Sequence, residues 1–140
     1  MNTFLFSFLW LVGVSENIQQ PKTEMATLVL YREKEFNLGR SKAYAFKIDN
    51  KEQILLSPNR YAQLRVMPGR IKIQFENDYF STGKTLWLTM QPGRTYYVKV
   101  AVDVDFMRST MLMAPVAEQE ARQELRRMKP VEIAPSAQKN

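Results

Sequence analysis

The sequence predicts a mainly β protein, an antiparallel β-sandwich closed by one C-terminal α-helix. Three observations carry this expectation. Apolar and polar residues alternate with period two from Ala26 to Ala114, Pro-Gly pairs punctuate that stretch, and after Pro115 the period lengthens to that of a helix.

The first strand is Ala26 to Tyr31, with Leu28 and Leu30 on one face. Lys42 to Ile48 sets Tyr44, Phe46 and Ile48 together, Asp49-Asn50-Lys51 supplies a turn, and Gln53 to Leu56 follows as a short strand. Arg60 to Val66 directs Ala62, Leu64 and Val66 inward, and Arg70 to Glu76 does the same with Ile71, Ile73 and Phe75. Between them stands Pro68-Gly69, and Pro92-Gly93 repeats the pattern before Arg94. Proline pre-sets φ at the second turn position and glycine takes the positive φ that a type II turn needs next, so both pairs are expected to be hairpin corners. Asn77-Asp78 and Ser81-Thr82-Gly83 mark a longer loop holding Tyr79 and Phe80, and Leu86, Leu88 and Met90 resume the alternation. The clearest strand is Tyr96 to Asp105, whose even positions carry Tyr and four Val; Ser109 to Ala114 is the last. About eight short strands at such spacing suit a sandwich or barrel.

Val116 to Lys129 contains neither Gly nor Pro and places Ala117, Ala121, Leu125 and Met128 on one stripe. Glu118 and Glu120 near its start and Arg126, Arg127 and Lys129 near its end complement the helix dipole, and Pro130 stops it. Trp87 and Tyr97 lie on the parity opposite the main core, and the helix stripe is expected to cover both. Residues 130–140 read as a disordered tail.

The N-terminus carries an apolar run, Phe4 to Val14, whose only polar member is Ser7. It is shorter than the roughly 20 apolar residues that span a bilayer, but it has the length of a secretory leader. Gly13 and Ser15 supply the small residues for cleavage after position 15. Residues 1–15 are therefore expected to be a signal peptide and 16–25 a polar linker. The sandwich would occupy 26–129, with its closing helix at 116–129.

Composition narrows the chemistry. At 45% hydrophobic and 24% charged, the 140-residue chain has the profile of one folded domain. No Cys and no His exclude disulfides, thiolate or imidazole metal sites, triads that need those groups, and a lipobox. A net charge of +6 favours anionic surfaces, although the basic residues are dispersed.

One resemblance emerges from the order of motifs. Leu30-Tyr31-Arg32, the loop with Gly39, Phe46-Lys47-Ile48-Asp49-Asn50, Tyr61-Ala62-Gln63-Leu64, Pro68-Gly69-Arg70-Ile71-Lys72-Ile73 and Pro92-Gly93-Arg94-Thr95-Tyr96-Tyr97-Val98-Lys99-Val100 together resemble the bacterial domain of unknown function 2846. The similarity covers about residues 25–129. It implies an exported or lipoprotein-type sandwich of the PEGA-like or prealbumin-like kind, and it transfers no catalytic residue. Two departures stand out: Lys51 replaces the loop Gly usual after the Asp-Asn position, and the lipobox Cys is missing.

Candidate sites each have a plain alternative. Asp103-x-Asp105 lies on the solvent side of its strand and Asn77-Asp78 in a loop, without the ligand ladder of a calcium loop. Gly83-Lys84-Thr85 resembles the end of a phosphate loop, but Asp78 stands where the upstream Gly belongs. Ser41-Lys42 would point to opposite faces of a strand. Met107, Met111 and Met113 suit core filling better than copper binding. A basic and aromatic surface carries more weight, and Lys47, Arg65, Lys72, Trp87, Tyr97 and Lys99 are its candidate interaction residues. No catalytic residue, metal or cofactor is assigned.

The sequence therefore reads as a non-catalytic exported domain of the periplasm or cell surface, with uncleaved membrane association as the variant. Its expected partner is another envelope protein or a second copy, met through exposed strand edges, or else an anionic envelope polymer or lipid. An OB-like basic nucleic-acid binder is the first rival, although nucleic acid is not the polyanion an exported chain meets. A carboxylate-dependent hydrolase built from Asp103, Asp105, Glu76 or Asp78 is the second.

Overall fold

The computed structural model describes residues 24–34 and 42–131. The expected signal peptide, most of the linker, the Gly39 loop and residues 132–140 lie outside the described residues. Ten strands and one helix follow in order: β1 (Ala26–Arg32), β2 (Tyr44–Ile48), β3 (Glu52–Leu56), β4 (Arg60–Val66), β5 (Gly69–Phe75), β6 (Ser81–Gly83), β7 (Leu86–Met90), β8 (Thr95–Asp105), β9 (Arg108–Val116), α1 (Glu118–Leu125) and β10 (Lys129–Pro130).

These form a sandwich of a six-stranded sheet, β10-β4-β1-β8-β9-β6, and a four-stranded sheet, β3-β2-β5-β7. The smaller sheet is antiparallel throughout. The larger one is mixed, because β1 runs parallel to β8, β10 to β4 and β6 to β9. The alternation does what the sequence predicts. Leu28, Leu30, Phe46, Ile48, Ala62, Leu64, Ile71, Ile73, Phe75, Val98 and Val100 fill one core between the layers. Within it the Phe75 ring meets Phe46 and Tyr44 at centroid distances of 5.5 and 5.8 Å.

Both Pro-Gly corners differ from expectation. Pro68-Gly69 connects β4 in one sheet to β5 in the other, and Pro92-Gly93 takes β7 across to β8. The turn chemistry is present, since Gly69 and Gly93 have φ of +120° and +72°. It serves arches rather than hairpins because β1 and β10 already occupy both edges of β4, and β1 and β9 both edges of β8. Alternation marks which face of a strand is buried but not whether the next strand lies beside it or opposite it. The Asp49-Asn50 turn does close a hairpin, between β2 and β3, with positive φ at both residues and Lys51 N–H donating to Ile48 O at 2.9 Å.

The C-terminal region is also redrawn. Strand β9 runs on through Pro115 to Val116, so the helix begins at Glu118 and ends at Leu125, shorter than the expected 116–129. After it the chain returns as β10 beside β4, and Val131 N–H donates to Tyr61 O at 2.8 Å. The start of the expected tail is thus built into the sheet edge. Helix α1 lies on the outer face of the larger sheet, where Val29, Tyr31, Tyr97 and Ala121 make a second core with Tyr61, Val116, Leu125 and Met128 around it. The stripe of Ala121, Leu125 and Met128 therefore finds the aromatic floor it requires, in Tyr97 but not Trp87.

Candidate functional site

The six interaction residues named from sequence do not share a surface. Lys47, Lys72 and Trp87 stand on the outer face of the four-stranded sheet, where Lys47 pairs across to Gln74 and Lys72 to Trp87. Arg65, Tyr97 and Lys99 belong to the opposite, helix-bearing face of the six-stranded sheet. Tyr97 is buried under the helix. Lys99 bridges Glu124 of α1 at 3.0 Å and Glu33 at 3.1 Å, and Lys47 is held by Glu76 at 2.6 Å. Among the six, Lys72, Arg65 and Trp87 keep side-chain groups that no described carboxylate engages, although the Lys72 backbone N–H donates to Asp49 Oδ1 at 2.8 Å.

The Lys99 cluster fastens the helix. Its inner wall is Tyr31, whose hydroxyl is buried together with Glu124 Oε2; among the described residues neither atom has a well-formed hydrogen-bond partner. Burial, reinforced by the Glu124 carboxylate, pushes the Tyr31 phenol well above its ordinary range. For Glu124 burial opposes ionisation, but Tyr31 and Lys99 outweigh it and hold the carboxyl below the usual carboxylate range. Lys99 is raised in the same way: burial works against its charge and the two carboxylates prevail. A depressed carboxyl stabilises the fold at pH values above its unfolded pKa, and that contribution is lost as pH falls through the native pKa. Glu124→Gln is therefore expected to cost about 1–2 kcal/mol at pH 7. The deficit against wild type should shrink in urea titrations repeated from pH 5 down to pH 3; a constant deficit over that range would refute the account. Lys99 acts in the opposite sense, its contribution being complete at neutral pH and lost in alkali.

A second buried charge lies at the end of β1. Arg32 is 1% exposed, points into the main core, and donates from one nitrogen to Lys42 O at 2.8 Å and Leu56 O at 3.2 Å. Its guanidinium sits 4.7 Å from the centre of the Tyr44 ring. One side chain thus joins the ends of β1, β2 and β3.

Among the described residues, a group of exposed apolar side chains gathers elsewhere. Strands β8 and β9 form a ribbon whose far turn, between Asp105 and Arg108, consists of Phe106 and Met107. Phe106 is 99% exposed and holds a left-handed φ of +48°. Strand β6 pairs with β9 at Ser109 to Met111, and Ser109 N–H donates to Phe80 O at 2.8 Å. That pairing brings the exposed Tyr79 and Phe80 alongside the turn, with their rings edge to face at 4.8 Å. Val104 has the inward parity of β8 yet is half exposed, because there the ribbon outruns the opposing layer. Asp103 and Asp105 flank the same end on the outer face, exposed as the strand parity predicts.

Sequence reasoning placed Tyr79 and Phe80 only in a loop and overlooked Phe106. The available signal was Asp105-Phe106-Met107-Arg108, a bulky apolar pair where a two-residue hairpin turn favours Asn or Gly.

Fold and surface define a two-layer β-sandwich with one helix docked on its larger sheet and an aromatic hairpin projecting from one end. Comparison with protein-family models, curated proteins and solved structures finds no match.

Proposed function

We propose that the chain is a non-catalytic exported domain of the bacterial envelope that serves as a protein-binding or assembly module, with the apolar end of the β8–β9 ribbon as its contact. The supporting observation is Phe106. A left-handed conformation costs an L-residue of this bulk about 1–2 kcal/mol, and here the cost accompanies an aromatic ring almost wholly in solvent. Such a ring becomes favourable only when something covers it.

A protein pocket suits this end better than a lipid surface, on two grounds. Asp103 and Asp105 beside it outnumber Arg108, which faces Asp105 across the turn, and would repel anionic headgroups. Because β1 is parallel to β8, the start of β1 lies at the other end of the sandwich, so a leader retained in a membrane would direct the tip away from that membrane. The resemblance to the domain of unknown function 2846 belongs to this proposal and supplies its envelope setting.

Phe106→Asn is expected to raise the melting temperature by about 4 °C, since Asn tolerates the left-handed region. The same substitution should weaken partner contact. The direct test places a photo-cross-linking residue at position 106 or 65 in cells. A discrete adduct with an envelope protein from 106 alone, lost on Met107→Asp, supports the reading, whereas equal labelling from both positions removes it. N-terminal sequencing of the cellular protein should begin at Glu16, and an intact Met1 on protein recovered from the cytosol rather than from the membrane would withdraw the exported setting.

A further inference from the structure

We propose that β7 is a docking edge for an extended acidic peptide, a strand alternating apolar residues with carboxylates. This goes beyond the reading above and does not depend on the aromatic tip. Strand β7 closes the four-stranded sheet, hydrogen-bonded to β5 on one side and to no described strand on the other. Exposed edges are ordinarily protected by Lys, Pro or an inward charge. The five residues Leu86-Trp87-Leu88-Thr89-Met90 contain none of these, while the opposite edge strand β3 carries Glu52 and β10 carries Lys129 and Pro130.

Both faces of β7 are half-finished. On the core side Leu86 and Leu88 pack against the main core yet remain half-buried, whereas Met90 is fully enclosed. One more strand would cover the two leucines with its own inward side chains. On the outer side Trp87 is 51% exposed, with the Arg70 guanidinium 4.5 Å and the Lys72 ammonium 5.8 Å from its ring centre. No carboxylate among the described residues forms a salt bridge with either cation. Arg70 lies on β5 and its guanidinium stacks on the ring of Trp87 from β7, so its charge stands on the outer strip shared by the two strands, next to the edge an added strand would join.

That placement selects the occupant. Outward side chains of the added strand would meet a cationic, aromatic strip, and inward ones an apolar one, so alternating carboxylates and aliphatics match both. A second copy pairing β7 to β7 would instead gather two sets of Arg70 and Lys72 on one continuous outer face with no carboxylate of β7 between them, and like charges so placed disfavour association.

The test uses the full chain and a soluble seven-residue peptide alternating valine and glutamate, with a valine–lysine peptide as control. Hydrogen exchange at the amides of Leu86 to Met90 and the emission of Trp87, referenced to Trp87→Phe, are followed during titration. Saturable protection of those amides by the glutamate peptide is expected, with at least tenfold weaker binding of the lysine peptide. The double variant Arg70→Glu with Lys72→Glu, the first position exposed and the second half-buried on the outer face, should reverse that preference. Equal affinity for the two peptides, no protection of β7 at millimolar peptide, or self-association through β7 would each overturn the proposal. Met107→Asp should leave the titration unchanged, so failure at this edge and failure at the tip are separable.

Discussion

Arg32→Ala is expected to lower the midpoint of thermal unfolding, followed by circular dichroism at pH 7, by about 10 °C. The magnitude follows from what the side chain does at the closed end of β1. Removing it leaves Lys42 O and Leu56 O without this donor, takes a cation off the Tyr44 ring and opens a cavity in the core. A lost buried charge-assisted bond costs about 1–3 kcal/mol, and the cavity adds to it, so a total near 3 kcal/mol is expected. At this chain length that corresponds to roughly 3–4 °C for each kcal/mol. Arg32→Lys should recover only part of the loss, because an ammonium keeps the charge without the planar guanidinium that reaches both carbonyls and stacks on the ring. A melting temperature for Arg32→Ala within about 1 °C of wild type would show that the three strand ends are held by other contacts.

Gly83→Val is expected to destabilise the fold by about 3 kcal/mol and, more tellingly, to release β6. A Cβ at this position would stand 2.9 Å from Phe75 Cβ and 3.0 Å from Met111 Cβ, both on buried residues whose Cβ atoms are fixed to their strands. Overpacking of that kind costs about 1–3 kcal/mol, more for a branched side chain. The cheapest relief is for β6 to lift from β9. The Ser109 amide, which donates to Phe80 O, should then exchange with solvent much faster than in wild type, while the amides of β1 retain their protection. Because β6 holds Tyr79 and Phe80 beside Phe106, the same variant should weaken contact at the tip. Unchanged exchange at Ser109 would mean that the sheet accommodates the side chain by another route.

Much of the architecture was legible because burial imposes period two. Each of the eight expected strands is present, and Leu28, Phe46, Ala62, Ile71 and Val98 occupy the core that their parity assigns. The misses share a cause. Parity carries no information about which strand is the neighbour, so arches at Gly69 and Gly93 looked like hairpins, and the parallel pairing of β1 with β8 was invisible. Strands as short as Ser81–Gly83 and Lys129–Pro130 have too few residues for alternation to register. The interaction surface was only partly legible for a related reason. An outward parity describes Lys72 and Lys99 equally, but the two sheets turn their outer sides in opposite directions, and only three-dimensional placement separates them. Arg32 was missed because its parity is inward while its charge suggests solvent; the carbonyls of Lys42 and Leu56 that make burial tolerable lie 10 and 24 residues away.

The central position of β1 between β4 and β8 governs how the molecule can come into being. Its partner on one side is among the last strands to leave the ribosome, so at elongation rates of about 5–20 residues per second β1 waits on the order of several seconds for that neighbour. Until then its sheet cannot close, and the contacts that would lock it span about half of the chain, a topology that folds in roughly milliseconds to seconds rather than microseconds. Under the exported setting proposed above, that delay would leave the nascent chain open while it can still be threaded through a translocation pore.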